Sequence, residues 1–425
     1  CSSLSLLNCQ DEAVSYGTAH APSFPEKMAP VAPPFEMGPS TPLLSQTESN
    51  SSTSSTPESC SEASDAESPP SPYQVKLPLP SKALAGFCNY REMAVLNGHT
   101  GPISSLALCG EFVLSASEGK DMIVWQQPDL KLFAKFGQGD GATKSIVTVG
   151  NKVFSAHQDS KIRVWKISRS AENVFKIFRT LPTRKDYLGM FMKKRNYVPV
   201  RRHHRKLWIE HADAVSCLSI SNGILYSGSW DKSLKVWRIS DLKCLESIKA
   251  HDDAINGLVA CKGVVYSGSA DGRIKAWGKE GRSPSSKHCL RGILEGQKGV
   301  SMNSLVASED GRWVYGGQSN GFILGWEACT DLAKWKLVCQ TKAHDMAVLC
   351  MCLKGRLVCS GSADRTIAVW RRLAYGGISK VGVIAGHGVP VKCLQASPNS
   401  VGDGFLLYSG GFDKSLRVWW VPNQI

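Results

Sequence analysis

From residue 91 onward, apolar side chains alternate with small or polar ones in short runs such as Leu234-Lys235-Val236-Trp237, and clusters of Gly, Asp and Ser separate the runs. A period of two is that of a β-strand with one face turned to a core. The runs also recur. One element reads SASEGKDMIVW ending at Trp125, SAHQDSKIRVW at Trp165, SGSWDKSLKVW at Trp237, SGSADGRIKAW at Trp277, GGQSNGFILGW at Trp326, SGSADRTIAVW at Trp370 and SGGFDKSLRVW at Trp419. Seven copies over residues 91–425 give roughly 48 residues each, and setting aside one long insertion brings the period to about 40–45. Repeated four-stranded units that close into a ring hide their edge strands, so the pattern predicts an all-β fold, a seven-bladed β-propeller. Residues 92–96, Glu-Met-Ala-Val-Leu, are expected to close the ring as the outer strand of the last blade.

Residues 1–88 have a different character. Ser, Thr and Pro dominate, most densely at 40–72, and such a stretch buries too little apolar surface to offset the entropy of ordering. A disordered N-terminal tail is therefore expected, with Thr41, Thr56, Ser68 and Ser71 each preceding a proline. Charge divides along the same line: residues 1–90 hold 3 Lys/Arg against 9 Asp/Glu, leaving 47 against 27 in the remainder. No run of 18 apolar residues predicts a membrane-spanning helix, and the first residues do not read as a secretory signal. The 15 cysteines are scattered through strands without a CxxC pair, which suits core filling in a reducing compartment, cytoplasmic or nuclear.

In most copies a His lies upstream of the turn Asp: His211, His251 and His344 by 20 residues, and His387 by 26. These His and Trp elements with their Asp turn resemble the WD40 repeat. The long insertion, LPTRKDYLGMFMKKRNYVPVRRHHRKLWIEHADAVSCL, resembles the segment found in plant WD40 proteins of the JINGUBANG type. Such a resemblance implies a regulatory WD40 protein of plants without catalytic chemistry. It also implies a hydrogen-bonded tetrad, complete in four blades: His211/Ser227/Asp231/Trp237, His251/Ser267/Asp271/Trp277, His344/Ser360/Asp364/Trp370 and His387/Ser409/Asp413/Trp419. Independently, a buried indole N–H needs an acceptor and a buried carboxylate needs donors.

Three copies depart from this pattern. The first has Gly119 where the Asp belongs, and Asp121 aligns with Ser233, so alanine is expected to be tolerated there. The second has Ser155, Asp159 and Trp165 but no His, and the fifth keeps only Asn320 and Trp326. Ser, His and Asp together invite a hydrolase reading, yet a catalytic constellation occurs once and this one recurs at fixed spacing. No enzyme, cofactor or metal is expected.

Residues 168–208 hold 12 Lys/Arg against 2 Asp/Glu, centred on KKRNYVPVRRHHRKLW. If VFKIFRTLP is the second blade's outer strand, the insertion at about 183–206 leaves from the face of the Asp turns. If RRHHRKLWIEH is that strand, it leaves from the opposite face. Thr183 is placed to cap a short helix. Arg201, Arg202, Arg205 and Lys206 are candidate partner-binding charges. On the narrow face, Trp230 and Phe412 put large aromatics in turns where Ala270 and Ala363 are small, with Gln158, Asp213, Asp253 and Met346 beside them. The leading expectation is a non-enzymatic scaffold or regulatory adaptor docking partner proteins, acidic segments among them. The alternatives are a nucleic-acid-associated protein acting through the insertion, or a ubiquitin-ligase substrate receptor.

Overall fold

The computed structural model describes residues 90–137, 141–167, 175–201, 204–281, 286–329 and 334–423. Expectations for the tail at 1–88 and for Arg202 lie outside them, as does the side chain of Arg201. Seven four-stranded antiparallel sheets form a seven-bladed β-propeller, and one two-stranded hairpin stands apart from the blades. Each blade runs from an inner strand to an outer one. The third, for instance, is Val215–Ser221, Ile224–Ser229, Ser233–Arg238 and Cys244–Lys249.

The last blade closes the ring. Its three later strands, Val391–Val401, Gly404–Gly411 and Leu416–Pro422, are completed by Arg91–Leu96, with Leu96 opposite Leu416 and Arg91 opposite Trp420. Ala94 and Leu96 then join Ile103, Ile123, Trp125, Tyr408 and Val418 in one core between the last and first blades. Burial of this apolar surface locks chain ends that are more than 300 residues apart in sequence.

Blades are also joined at their inner strands. Ser104 Oγ donates to Thr143 O at 2.6 Å, Ser216 Oγ to Ile255 O at 2.5 Å, Asn256 Nδ2 to Met302 O at 3.1 Å and Asn303 Nδ2 to Val348 O at 3.0 Å. Cys350 and Cys393 thiols reach Val391 O and Ile103 O, and Leu218 N–H donates to Ser145 Oγ. Every junction in the ring thus carries at least one side-chain bridge. The glycine of the recurring Ser-Gly-Ser run follows from the same closeness: a Cβ on Gly228 would stand 2.7 Å from Ile255 Cγ2, and one on Gly361 2.8 Å from Val391 Cγ1.

The second blade's outer strand is Phe175–Leu181, with Leu181 opposite Ile162 just after the Asp159 turn. The insertion therefore leaves from the face of the Asp turns. It is a folded element, not a bare loop. Helix Arg184–Met190 starts at a capping box in which Asp186 N–H donates to Thr183 Oγ1 and Thr183 N–H donates to Asp186 Oδ2. A hairpin follows, Tyr197–Arg201 against His204–Leu207, so RRHHRKLWIEH is not the outer strand of the blade.

Leu96 is 3% exposed in the closing strand, whereas Leu132, on the first blade's outer strand, is 45% exposed. Leu96→Ala should cost about 2–4 kcal/mol and favour aggregation through a loosened edge, while Leu132→Ala should change stability by less than about 0.5 kcal/mol. Chemical denaturation of both variants checks the difference.

Candidate functional site

In the third blade the Trp237 indole N–H donates to Ser227 Oγ at 2.9 Å, that hydroxyl lies 2.8 Å from His211 Nε2, and His211 Nδ1 lies 3.0 Å from Asp231 Oδ2. The fourth blade repeats this through Trp277, Ser267, His251 and Asp271 at 2.9, 2.8 and 2.8 Å. The sixth uses Trp370, Ser360, His344 and Asp364 at 3.0, 2.9 and 2.8 Å. The seventh uses Trp419, Ser409, His387 and Asp413 at 2.7, 2.7 and 3.1 Å.

An indole only donates and an ionised carboxylate only accepts. The proton order is therefore one-way: Trp N–H to Ser, Ser O–H to His Nε2, His Nδ1–H to Asp. That order requires a neutral imidazole, a tautomer inferred from its partners. Burial pushes the His211, His251 and His387 rings below their ordinary pKa, outweighing the pull of the facing carboxylates. For Asp231, burial alone would raise the pKa. His211, the Ser233 hydroxyl and the Ala212 N–H outweigh it and hold the carboxyl well below the usual range. Ser227, Ser267, Ser360 and Ser409 are all fully buried, which closes these hydroxyls off from solvent.

The departing blades need three corrections. Asp121 takes the place of the missing turn carboxylate: its Oδ2 lies 3.2 Å from His99 Nδ1, while His99 Nε2 lies 2.7 Å from Ser115 Oγ and Trp125 donates to that hydroxyl at 2.9 Å. The reason is that the side chain two residues past the turn already faces the ring. Ser233 Oγ, the equivalent in the third blade, sits 3.1 Å from His211 Nδ1. In the second blade a His is present, supplied from within the strand. His157 Nε2 lies 2.8 Å from Ser155 Oγ and its Nδ1 lies 3.2 Å from Gly141 O, leaving Asp159 to Arg163 at 2.6 Å.

The fifth blade keeps more than Asn320 and Trp326. Asn320 Nδ2 donates to Gln297 Oε1 at 2.5 Å, a neutral pair in place of His and Asp, while Gly316 stands where the other blades have Ser. Gln318 is fully buried, and neither of its amide atoms has a partner among the described residues. This blade has the weakest polar chain.

The family model described as WD domain, G-beta repeat matches residues 90–126, 203–238, 242–278, 335–371 and 378–419. The chain carries WD40 repeats, and its fold is a seven-bladed propeller. The matched segments cover the first, third, fourth, sixth and seventh blades, and the second and fifth are those whose polar chains are rewired. Among relatives, the chain is 28% identical over 99 residues to the WD repeat-containing protein pop2 of Schizosaccharomyces pombe, 23% of this chain and 12% of that protein. It is 24% identical over 111 residues to zinc finger CCCH domain-containing protein 59 of Arabidopsis thaliana, 26% of this chain and 18% of that protein. It is 24% identical over 166 residues to an F-box/WD-40 repeat-containing protein of the same plant, 38% of this chain and 27% of that protein. No helix among the described residues is long and apolar enough to cross a membrane.

On the Asp-turn face of this WD40 propeller, Trp230, Phe412 and Met346 are 40%, 43% and 55% exposed. Gln158, Asp213 and Asp253 are exposed beside them, the two carboxylates each accepting the N–H of the next residue. The structure also adds residues that sequence reasoning missed. Lys144 and Lys392 both reach Glu118 Oε1, at 3.0 and 2.5 Å, and their ammonium groups lie 5.4 Å from the Trp230 ring centre and 4.9 Å from that of Phe412. Burial would raise the Glu118 pKa, but the two lysines keep it lowered. An arc of aromatic, cation, anion, cation and aromatic thus crosses from the seventh blade to the third. The signal in the sequence was register: Lys144 and Lys392 occupy the inner-strand position held elsewhere by Ser104, Ser216, Asn256 and Asn303.

The insertion docks on the same face through Glu210, which accepts from the Tyr187 hydroxyl at 2.6 Å, Lys161 Nζ at 3.4 Å and the Leu207 N–H at 3.1 Å. Arg205 is exposed. Lys206 is not a free docking charge: half-buried, it donates to the His211 and Ala212 carbonyls at 3.2 and 3.5 Å and so braces the loop of the third blade.

Asp121→Ala should destabilise the protein to the same degree as Asp271→Ala, about 1–3 kcal/mol each, because both leave a buried ring nitrogen without its acceptor. Urea denaturation of the two variants tests this equality. A second outcome concerns pH. Burial, and then the Arg163 guanidinium, push the His157 ring down to about 4. An unfolded His takes its proton near pH 6.5, so stability is full above that value and falls as pH drops from about 6.5 to about 4. The expected loss from this ring is on the order of 2–4 kcal/mol. His211, His251 and His387 act with the same sign. Denaturation of His157→Asn at pH values across this window should show a shallower slope than the parent protein.

Proposed function

We propose that the protein is a non-enzymatic scaffold, an adaptor of plant signalling or development in the cytoplasm or nucleus. In this reading it docks partner proteins on the Asp-turn face. The observation that carries this reading is the Trp230, Lys144, Glu118, Lys392, Phe412 arc. Two large aromatics stand partly exposed at fixed positions, each with a cation over its ring, and the intervening charges are pre-paired. Interfaces concentrate their energy in rigid aromatic anchors ringed by polar groups. The Trp230 and Phe412 backbones are held by N–H donation to Ala214 O and Pro390 O, so little ordering cost remains for docking.

A second reading, association with nucleic acid through the insertion, is supported by Lys193, Lys194, Arg195 and Arg205, all exposed at its surface. It predicts binding that falls steeply with salt. A ubiquitin-ligase receptor reading draws only on the F-box/WD-40 relative, matched over 27% of its length.

The scaffold reading is tested with a partner isolated by the full-length chain and then measured as purified protein. Trp230→Ala with Phe412→Ala should weaken its binding by at least about tenfold, since anchors of this kind carry about 2 kcal/mol or more. The melting temperature should stay close to the parent's. Unchanged affinity in a folded double variant would move the docking site off this face.

A further inference from the structure

The side wall of the second blade carries a recess of about 830 Å³. The outer strand Phe175–Leu181 lines it, Thr183 and the first turn of the insertion's helix stand on one flank, and Ser240, Asp241 and Leu242 of the third blade's turn stand on another. Ile177 and Phe178 are 49% and 43% exposed within it. No strand among the described residues pairs with the outer edge of Phe175–Leu181. An unpaired edge offers backbone donors and acceptors to an added strand.

Charge in the recess is one-sided. Lys152, Lys161, Arg179, Arg184 and Lys185 line it against one carboxylate, Asp241, which Arg238 already holds at 3.0 and 2.8 Å. Lys161 is engaged with Tyr187 and Glu210, and Lys152 reaches Ile239 O at 3.5 Å. Arg184 and Lys185 are exposed on the first turn of the helix, and Arg179, also exposed, lies over the Phe178 ring at 4.7 Å with one Nη1 bond to the Phe178 carbonyl at 2.9 Å. Three cations therefore face the opening, above an apolar floor and a strand edge.

We propose that this recess is a second docking site, for an extended acidic segment of a partner protein. Carboxylates of the segment pair with Arg179, Arg184 and Lys185, an apolar side chain rests on Ile177 and Phe178, and the segment backbone runs along the free strand edge. A concave recess fits a peptide better than it fits the broad surface of a bilayer, and the strand edge gives a polynucleotide no matching backbone.

A fluorescent synthetic peptide of alternating Asp and Leu, titrated with the full chain and followed by anisotropy, tests the site. Binding should weaken by about tenfold or more in Arg179→Ser/Arg184→Ser/Lys185→Ser. A matched control, Lys262→Ser/Lys336→Ser/Arg356→Ser, removes the same charge from exposed positions on the fourth, fifth and sixth blades. It should change binding by no more than about twofold. Thermal melts confirm that both variants fold, and Trp230→Ala/Phe412→Ala should bind this peptide as the parent does, which separates the recess from the Asp-turn face. Equal losses in the two triple variants overturn the proposal, because net charge alone would then explain binding. Absence of binding by the parent chain overturns it too. So does a silent peptide beside polyuridylate or phosphatidylserine vesicles whose binding depends on the same three cations.

Discussion

A tryptophan buried in the third strand of a blade must place its indole N–H on an acceptor, and in six blades that acceptor is a serine hydroxyl of the neighbouring strand, at Ser115, Ser155, Ser227, Ser267, Ser360 or Ser409. Once the oxygen has accepted the indole proton, its own hydrogen needs a destination, and a histidine Nε2 supplies it. The ring is thereby kept neutral with its other proton on Nδ1, and that proton calls for the carboxylate of the turn or, in the second blade, a carbonyl. Strand, loop and turn are tied by one chain of proton demands, each costly to leave unmet in a buried site. The docking aromatics inherit this order. Trp230 and Phe412 immediately precede Asp231 and Asp413, so residues pinned for stability hold in place the residues offered to a partner.

The inner strands show what was exchanged for that surface. Ser104, Ser216, Asn256 and Asn303 each turn a short polar side chain toward the next blade's carbonyl. At the same register Lys144 and Lys392 turn instead to Glu118 on the Asp-turn face. Their two junctions are carried by neighbours, Ser145 toward the third blade and the Cys393 thiol toward the first. A thiol is a weak donor, and the seventh-to-first junction is completed by the Lys392–Glu118 pair, by Gln127 Nε2 donating to the Tyr408 hydroxyl at 2.6 Å and by the apolar core around Leu96 and Ile103.

How much was legible follows from how local each signal is. The blade count came from an eleven-residue element ending in Trp, whose Ser and Trp are ten residues apart and meet across one hairpin. Ring closure by residues 92–96 was legible because a short apolar run stood alone before the first copy. Asp121 and His157 were misread because alignment asks which residue occupies a position, while a hydrogen bond asks which atom reaches a point. A carboxylate two residues late and an imidazole from the strand satisfy the same geometry. The Glu118 arc was out of reach for another reason: Lys392 and Glu118 are 274 residues apart and meet only after the ring closes.

The second blade shows how a local rewiring makes room for a new element. Because His157 rises from the strand to meet Ser155, its Nδ1 proton is satisfied by Gly141 O, and the turn carboxylate Asp159 is no longer needed there. Asp159 instead accepts from the Lys161 N–H at 3.1 Å and from Arg163, which orders the turn from within. The Lys161 ammonium then reaches across the face to the Tyr187 hydroxyl at 2.7 Å and to Glu210. Those two groups anchor the insertion at both of its ends, Tyr187 near its start and Glu210 just past its hairpin. A neutral buried ring and a surface element of strongly basic composition are therefore linked through a single turn. The blade whose histidine comes from within its own strand is also the one that carries the added helix, hairpin and recess.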